Sequence, residues 1–544
     1  MSTRDRRWRM LLATLLAAVL TAWASPAAMA QNYVPISGAG STWSFNALDQ
    51  WRKNVLQYGM RISYSGTGST DGRNQFKAGQ VDFAVSEIPY GLMDNGVRDS
   101  PPTNRGFAYM PIVAGGTSFM YNLTIGGKRV TNLRLSGEVL AKIFTGAITN
   151  WADPAIKADN PGLQLPARKV VPVVRSDGSG TTAQLTMWFA AQHGGIWDAY
   201  CRKAGRSAPC GSTSDFPITP AVVGQSGSLG VTSYVRQQQS EGSITYVEYS
   251  YARNAGFPVA KVLNQSNYYI EPTAQSVAVA LLQARIAPDL TQDLRSVYTS
   301  RDRRAYPLSS YSYMILPTTE SGKFNRDKGR TLSDFAYYFL CEGQQQADRL
   351  GYSPLPINLV TAGMQQVARI PGSTRQRVDI SKCNNPTFSR DGSNTLARTA
   401  PNPSECDRKG ATQCAQGTGG ARQETPVGTG TGRGTGTGTG TASRGQGTAN
   451  QTGGPAGNTG TDPAAQSGQT GDSATGPQSQ AAIDPETGEV IGGTEVLGAS
   501  AIPVSVQLRD NNFVLLSVLA VVLLTGLIIG PPLIARALRR KEGP

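Results

Sequence analysis

The chain has 544 residues, with 51 basic and 37 acidic side chains, a formal net charge of +14, one histidine and six cysteines. A lone histidine (His193), with no CxxC spacing anywhere, excludes a zinc site of the usual ligand pattern. The basic excess favours an anionic ligand or surface, but there is no basic helix, zinc-finger spacing or aromatic-basic interleaving to suggest nucleic acid.

Residues 1–30 read as a secretory signal. Arg4, Arg6, Arg7 and Arg9 form its positive region, an apolar stretch runs from Met10 to Ala22, and Ala28-Met29-Ala30 is a small-x-small cleavage site. The cut is expected after Ala30. The signal holds no cysteine, so an N-terminal lipid anchor is not expected.

Three segments downstream share a design. In ISGAGSTWSFNALDQWRKNV, residues 36–55, a strand start leads to Gly38-Ala39-Gly40-Ser41-Thr42; Phe45, Leu48, Trp51 and Val55 then recur at helical spacing. In RISYSGTGSTDGRNQFKAG, residues 61–79, a short alternating strand leads to Gly66-Thr67-Gly68-Ser69-Thr70 and a helix. In KVVPVVRSDGSGTTAQLTMWFAAQ, residues 169–192, a strand-like run ends at Arg175 and Ser179–Thr182 open a helix. Each hydroxyl has an ordinary use, because Ser or Thr at a helix start caps unpaired N–H groups. The same start also aims bare N–H groups outward in a field that favours an anion. Neither a P-loop nor GxGxxG is present, so a nucleotide is not indicated. Three such ends converging would make a pocket of hydroxyls and amides, with Arg175 supplying charge and a planar donor fork.

A fourth segment, GQVDFAVSEIPYG at 79–91, alternates as a strand and ends on Ser86-Glu87. A carboxylate beside an anion seat makes sense only if the ligand carries a proton. Hydrogenphosphate has a hydroxyl that needs an acceptor. Sulfate has none and would meet the carboxylate's charge unrelieved. An exposed strand end is the plain alternative for Glu87.

The six cysteines suit export, where disulfides persist. Nearness in sequence pairs Cys201 with Cys210 and Cys406 with Cys414, and leaves Cys341 with Cys383. The folded body is expected over 31–372, with a cysteine-containing extension at 373–414. Residues 415–482 are rich in Gly and Thr and almost free of large apolar side chains. Nothing there offsets the entropy of folding, so a stalk is expected, with a root-mean-square reach of about 45 Å. Residues 483–512 regain some Ile, Val and Leu, enough for a short strand pair at most. Residues 513–535, FVLLSVLAVVLLTGLIIGPPLIA, carry no charge and are followed by Arg536, Arg539, Arg540 and Lys541. About 20 apolar residues cross the hydrocarbon core, and a basic flank belongs on the cytoplasmic side. The expectation is a single-pass cell-membrane protein with a large extracytoplasmic part and a short cytoplasmic tail, residues 536–544.

The chain resembles the phosphate-binding proteins of bacterial phosphate ABC importers. The resemblance rests on GAGSTW (38–43), YSGTGSTDG (64–72), VDFAVSE (81–87), IFTGAITNWADPAI (143–156) and RSDGSGTT (175–182). It continues through GSITYVEYSYA (242–252), YPLSSYSYMIL (306–316) and EGQQQADRLGYSPLP (342–356). It implies an α/β, two-lobed periplasmic-binding-protein fold of type II-like form, with ligand in the cleft between lobes. Lobe one would be about 33–120 plus 268–372, and lobe two about 121–267. The implied phosphate donors are Thr42, the backbone of Trp43, Ser69, Arg175, Ser179, Gly180 and Thr181. Glu87 is implied as proton acceptor and Asp177 as the residue that orients Arg175. A monomer working with ABC permease subunits is implied, without cofactor or metal. The sequence departs from the family pattern in having Trp43-Ser44 for Phe-Pro, Glu87 for Asp, and the stalk and C-terminal apolar segment.

No nucleophile–base–orienter set stands out, so catalysis is not expected. A surface-anchored sensor, scavenger or adhesion module built on the same fold is the alternative function. A secreted phosphatase is a more distant one.

Overall fold

The computed structural model describes residues 33–425, apart from 95–96, 376–379, 381–382, 390 and 424, together with the backbone of 482–483 and 490–491. The signal, the rest of the stalk, the apolar segment 513–535 and the tail lie outside the described residues. Among the described residues no helix is long and apolar enough to cross a membrane.

The strand–turn–helix segments form as their patterns require. β1 (Ile36–Gly40) leads to α1 (Phe45–Val55), and β2 (Ile62–Ser65) to α2 (Ser69–Lys77). The helical spacing of α1 puts Leu48, Trp51 and Val55 inside, where Trp51 stacks on Phe339 with ring centroids 5.2 Å apart. β3 (Phe83–Ser86) ends next to Glu87, and β4 (Phe107–Tyr121) is long and almost wholly buried. β5 (Val171–Arg175) leads to α3 (Gly180–Gln192), and β6 (Val223–Gln225) to α4 (Gly227–Arg236). β7 (Ser243–Glu248) leads to α5 (Tyr249–Asn254). β8 (Val259–Leu263), β9 (Ser309–Pro317), α6 (Arg326–Leu340) and α7 (Ile357–Val367) complete the frame.

The main sheet runs β6-β5-β7-β4-β9-β3-β1-β2, with β8 also on β4. β1 is parallel to β2 and β3, and β5 is parallel to β6 and β7. β4 runs antiparallel to β7 on one side and to β9 on the other, and β9 in turn runs antiparallel to β3. Its residues 107–116 pair with β9 and its residues 117–121 with β7. The first two-thirds of β4 thus belongs to one lobe and the last third to the other. The C-terminal ends of β1, β2, β3, β5, β6 and β7 all carry loops leading to a helix or to Glu87, and in open α/β sheets such ends form the ligand crevice.

Two cores flank this line. The first gathers Trp43, Trp51, Phe83, Met110, Ile315, Phe335 and Phe339. The second gathers Phe119, Phe144, Trp151, Trp188, Trp197 and Tyr246, while Met120, Val247 and Val259 pack on the opposite face of the same strands. This is the two-step alternation of strands buried on both sides. Residues 268–308, expected with lobe one, place Ile270, Val279, Leu294, Val297 and Tyr306 in the second core. Val277 and Ile286 of the same stretch touch the first core, and the chain joins the first lobe's sheet as β9 starts at Ser309.

Disulfides close between Cys201 and Cys210, Cys341 and Cys383, and Cys406 and Cys414. The cysteine-containing extension is a strap. Phe388 packs on the first core, whereas Leu396, Ala397 and Ala400 join the second. Arg134 then donates to Cys406 O and Ala411 O, both at 2.8 Å. Residues 415–425 were expected to begin the stalk, but those described lie on the second lobe. Thr425 Oγ1 accepts from Thr131 N at 2.7 Å, Thr418 Oγ1 accepts from Val259 N at 3.1 Å, and Arg422 pairs with Glu271 at 3.0 Å. Composition measures apolar content, and this segment is held by polar bonds instead. Further on, Ala482–Ile483 pairs antiparallel with Val490–Ile491.

Candidate anion-binding site

β1 ends in a turn that only glycine permits. Gly40 has φ +135°, and a Cβ there would collide with Val85 O of the neighbouring strand. The chain then turns outward through Ser41, Thr42 and Trp43, and Ser41 N bonds Val85 O at 2.9 Å. The Trp43 ring is buried, edge-on to Tyr352. Its backbone N–H donates to Ser41 Oγ at 2.9 Å.

Glu87 is 1% exposed and therefore not a free strand end. Its carboxylate accepts from Ser41 at 2.5 Å, from Ser69 at 2.8 Å and from Ser312. Its backbone carbonyl accepts Gln184 Nε2 from α3 at 2.9 Å. α3 starts against it. Ser179 caps the helix, its Oγ accepting from Thr182 N at 3.2 Å. A Cβ on Gly180 would overlap Glu87 Oε2 and lie 2.5 Å from Ser69 Oγ. Only a glycine allows the helix head to approach this closely.

Arg175 ends β5, 2% exposed. Its Nε donates to Asp177 Oδ1 at 2.7 Å and its second terminal nitrogen to Asp177 Oδ2. The remaining nitrogen reaches Ser228 Oγ at 3.2 Å. Burial works against the Asp177 charge, but the Arg175 bonds and charge and the Gly227 amide outweigh it, holding the pKa below the ordinary value. Asp177 also accepts Gly227 N at 2.8 Å and so ties the head of α4 to the same group.

The lobes meet over this set. Thr42 Oγ1 and Ser228 Oγ are 2.8 Å apart, Tyr251 OH donates to Thr42 O at 2.6 Å, and Thr70 N donates to Gly178 O at 3.1 Å. The fold therefore assembles Thr42, Trp43, Ser69 and Glu87 from one lobe with Arg175, Asp177, Ser179, Gly180 and Thr181 from the other. Thr181 Oγ1 is buried with no hydrogen-bond partner, as is Ser44 Oγ. Buried hydroxyls normally have partners, so an orphan at a helix head points to a ligand.

Sequence reasoning missed Ser41, Ser228 and Ser312. Ser228 had a signal, since GQSGSLG at 224–230 repeats the small-residue helix start. Ser41 lay inside the first cluster. Ser312 lies mid-strand and carried no local signal. His193 separates two helices and packs edge-on against Trp188.

Residues 25–342 match the model of the PBP superfamily domain. The chain belongs to that superfamily. The chain is 33% identical over 337 residues to phosphate-binding protein PstS of Xylella fastidiosa strain Temecula1, covering 62% of this chain and 85% of that protein. It is 29% identical over 351 residues to phosphate-binding protein PstS of Methanocaldococcus jannaschii, covering 62% and 86%. Against phosphate-binding protein PstS of Haemophilus influenzae the figures are 28% over 346 residues, 63% and 94%. The stalk and everything beyond it lie outside the matched PBP domain.

Proposed function

We propose that the protein binds inorganic phosphate outside the cell membrane and delivers it to an ABC permease. It is a substrate-binding protein and not an enzyme. The observation that carries the reading is the composition of the seat: a helix head, an arginine fork and hydroxyls as donors, with one buried carboxylate as acceptor. That set suits an anion that carries a proton. Thr42, the Trp43 backbone, Ser69, Arg175, Ser179, Gly180 and Thr181 are the donors in this reading, Ser69 through its backbone N–H because its hydroxyl proton goes to Glu87, with Asp177 orienting Arg175. Closing the lobes exchanges the anion's water for fixed dipoles, which need no reorganisation. The PstS relatives support phosphate as the ligand, and the resemblance to importer phosphate-binding proteins is what suggests a permease as the partner.

The uncharged segment 513–535 and its basic flank support a membrane-anchored receptor that works as a monomer at the end of a Gly/Thr-rich stalk. The test is calorimetric titration of protein freed of carried-over ligand, with phosphate and then sulfate at neutral pH. Micromolar or tighter phosphate binding without a sulfate response is expected, and Glu87→Gln should erode that selectivity. Silence toward both anions from folded protein would sink the phosphate reading and leave a surface module on the same fold.

A further inference from the structure

Glu87 is one methylene longer than the aspartate expected at its place, and the sheet supplies a partner for the extra reach. β3 pairs antiparallel with β9 so that Ser86 faces Tyr313. One step further along both strands sets Glu87 opposite Ser312. Directly opposed side chains in an antiparallel pair share a face and interact. Ser312 is fully buried and its Oγ donates to Glu87 Oε1. On the other side of β9, Ser312 pairs with Val113 but Tyr313 pairs with Pro111, which leaves Ile112 unopposed. Such bulges re-aim side chains and recur beside binding sites.

Counting protons shows what the arrangement does. Ser41, Ser69 and Ser312 have one hydroxyl proton each, and all three go to Glu87. Oε1 takes two of them, from the end of β1 and from β9. Oε2 takes only the Ser69 proton, and it is Oε2 that abuts Gly180 at the head of α3. Oε1 is the anchored end and Oε2 the working end. We propose that Ser312 is a positioning residue for ligand choice: by holding Oε1 it fixes Oε2 at the seat, as an acceptor that a protonated oxyanion satisfies and an unprotonated one meets as bare charge. Without Ser312 the carboxylate keeps a single hydroxyl on Oε1 and can swing off the seat. The charge that repels sulfate then retreats, and the acceptor for the phosphate proton loses its place. The proposal rests on the phosphate reading above.

The experiment uses the full chain as native protein, Ser312→Ala, Ser312→Thr, Glu87→Asp and the Glu87→Asp/Ser312→Ala pair. Phosphate and sulfate are titrated into each, with melting temperatures as a check on folding. Ser312→Ala should lower the phosphate-to-sulfate affinity ratio about tenfold, the size of one hydrogen bond to a charged group. Ser312→Thr, which keeps a hydroxyl, should restore the ratio. A merely structural role would weaken both anions together and leave the ratio alone. In the Glu87→Asp background the shorter side chain does not reach across to Ser312, so losing the Ser312 hydroxyl should change the ratio by less than about twofold. Native protein that binds phosphate, with a Ser312→Ala ratio unchanged or with the same loss in the Glu87→Asp background, overturns the proposal alone. Native protein that binds no phosphate overturns the receptor reading and this proposal with it.

Discussion

Gly180 offers the sharpest separation of site from scaffold, because one methyl group tests it. A Cβ at Gly180 would overlap Glu87 Oε2 and come within 2.5 Å of Ser69 Oγ. Either the carboxylate or the head of α3 must shift. Overpacking of this kind costs about 1–3 kcal/mol, and alanine's better helix propensity returns up to about 1 kcal/mol. The net loss of stability from Gly180→Ala is therefore about 0–3 kcal/mol, small enough to leave the fold intact. Binding should suffer far more, since the methyl stands where a ligand must touch both the helix head and Ser69. Losing two hydrogen bonds to a charged ligand, at about 1.5 kcal/mol or more each, raises Kd at least about a hundredfold. Gly195→Ala is the control. It sits in the next helix, and a Cβ there meets nothing within 4 Å. It should raise the melting temperature slightly and leave binding unchanged. Calorimetry with phosphate, together with thermal melts, measures both variants. Gly180→Ala that binds phosphate within a few-fold of native protein would refute the placement of the ligand at this helix head.

Asp177→Asn should weaken phosphate binding about tenfold, because Arg175 loses the charged half of its bidentate partner; affinity equal to native would show that the fork needs no orienting. Asp177 also gives an acid signature. Its folded pKa is depressed, so its contribution to stability is present above the ordinary 3.8 and lost as the pH falls through the lower folded value. That part of the acid slope should be missing from Asp177→Asn melts. Glu248 runs the other way. Burial raises its pKa well above 4.5, and Oε1 has no hydrogen-bond partner. Its stabilisation is full below 4.5 and fades as the pH climbs through the raised value. Glu248→Gln should bring the melting temperatures at about pH 5 and about pH 8 closer together, and an unchanged gap would reject a protonated Glu248. Removing the Cys341–Cys383 bridge, whose ends are 42 residues apart, should cost about 4 kcal/mol by loop entropy, read as a lower denaturant midpoint; an unmoved midpoint would show that the strap holds without it.

What the sequence made legible was local. The anion seat could be read because its donors sit at helix starts, and a helix start writes itself as small and hydroxyl residues within a few positions. Arg175, Asp177, Ser179 and Gly180 all fall inside one octapeptide. Ser312 could not be read, because its role depends on register between β9 and β3, strands separated by more than two hundred residues in sequence. Glu87 lay between these cases. Its identity was conspicuous, but its three hydroxyl partners come from the end of β1, the head of α2 and the middle of β9. Residues 415–425 were misjudged for a different reason. Low apolar content argues against an independent core, yet Thr418 and Thr425 dock by hydrogen bonds onto a lobe that already has one.

The way the lobes part is set by where the chain crosses between cores. It crosses along β4, where Gly116 pairs with β9 and Thr117 with β7. It crosses again between Leu308, in the second core, and Ser309 at the start of β9. These two crossings are adjacent, since Thr117 N donates to Leu308 O at 3.0 Å. A pair of bonded strands can act as a hinge that absorbs rotation within a few residues. The strap is a third crossing, fixed to the first lobe by Cys341–Cys383 and to the second by Arg134 and by Lys261, which pairs with Asp407 at 2.7 Å. Opening must stay within the length of chain between Phe388 and Leu396. The bonds that close over the seat, such as Thr42 with Ser228 and Thr70 with Gly178, contribute only about 1 kcal/mol each. A ligand bonded to donors of both lobes adds to these bonds and shifts the pair further toward the closed arrangement. Loss of the strap's disulfide should therefore alter how far the lobes separate, whereas loss of a seat donor should alter how often they close.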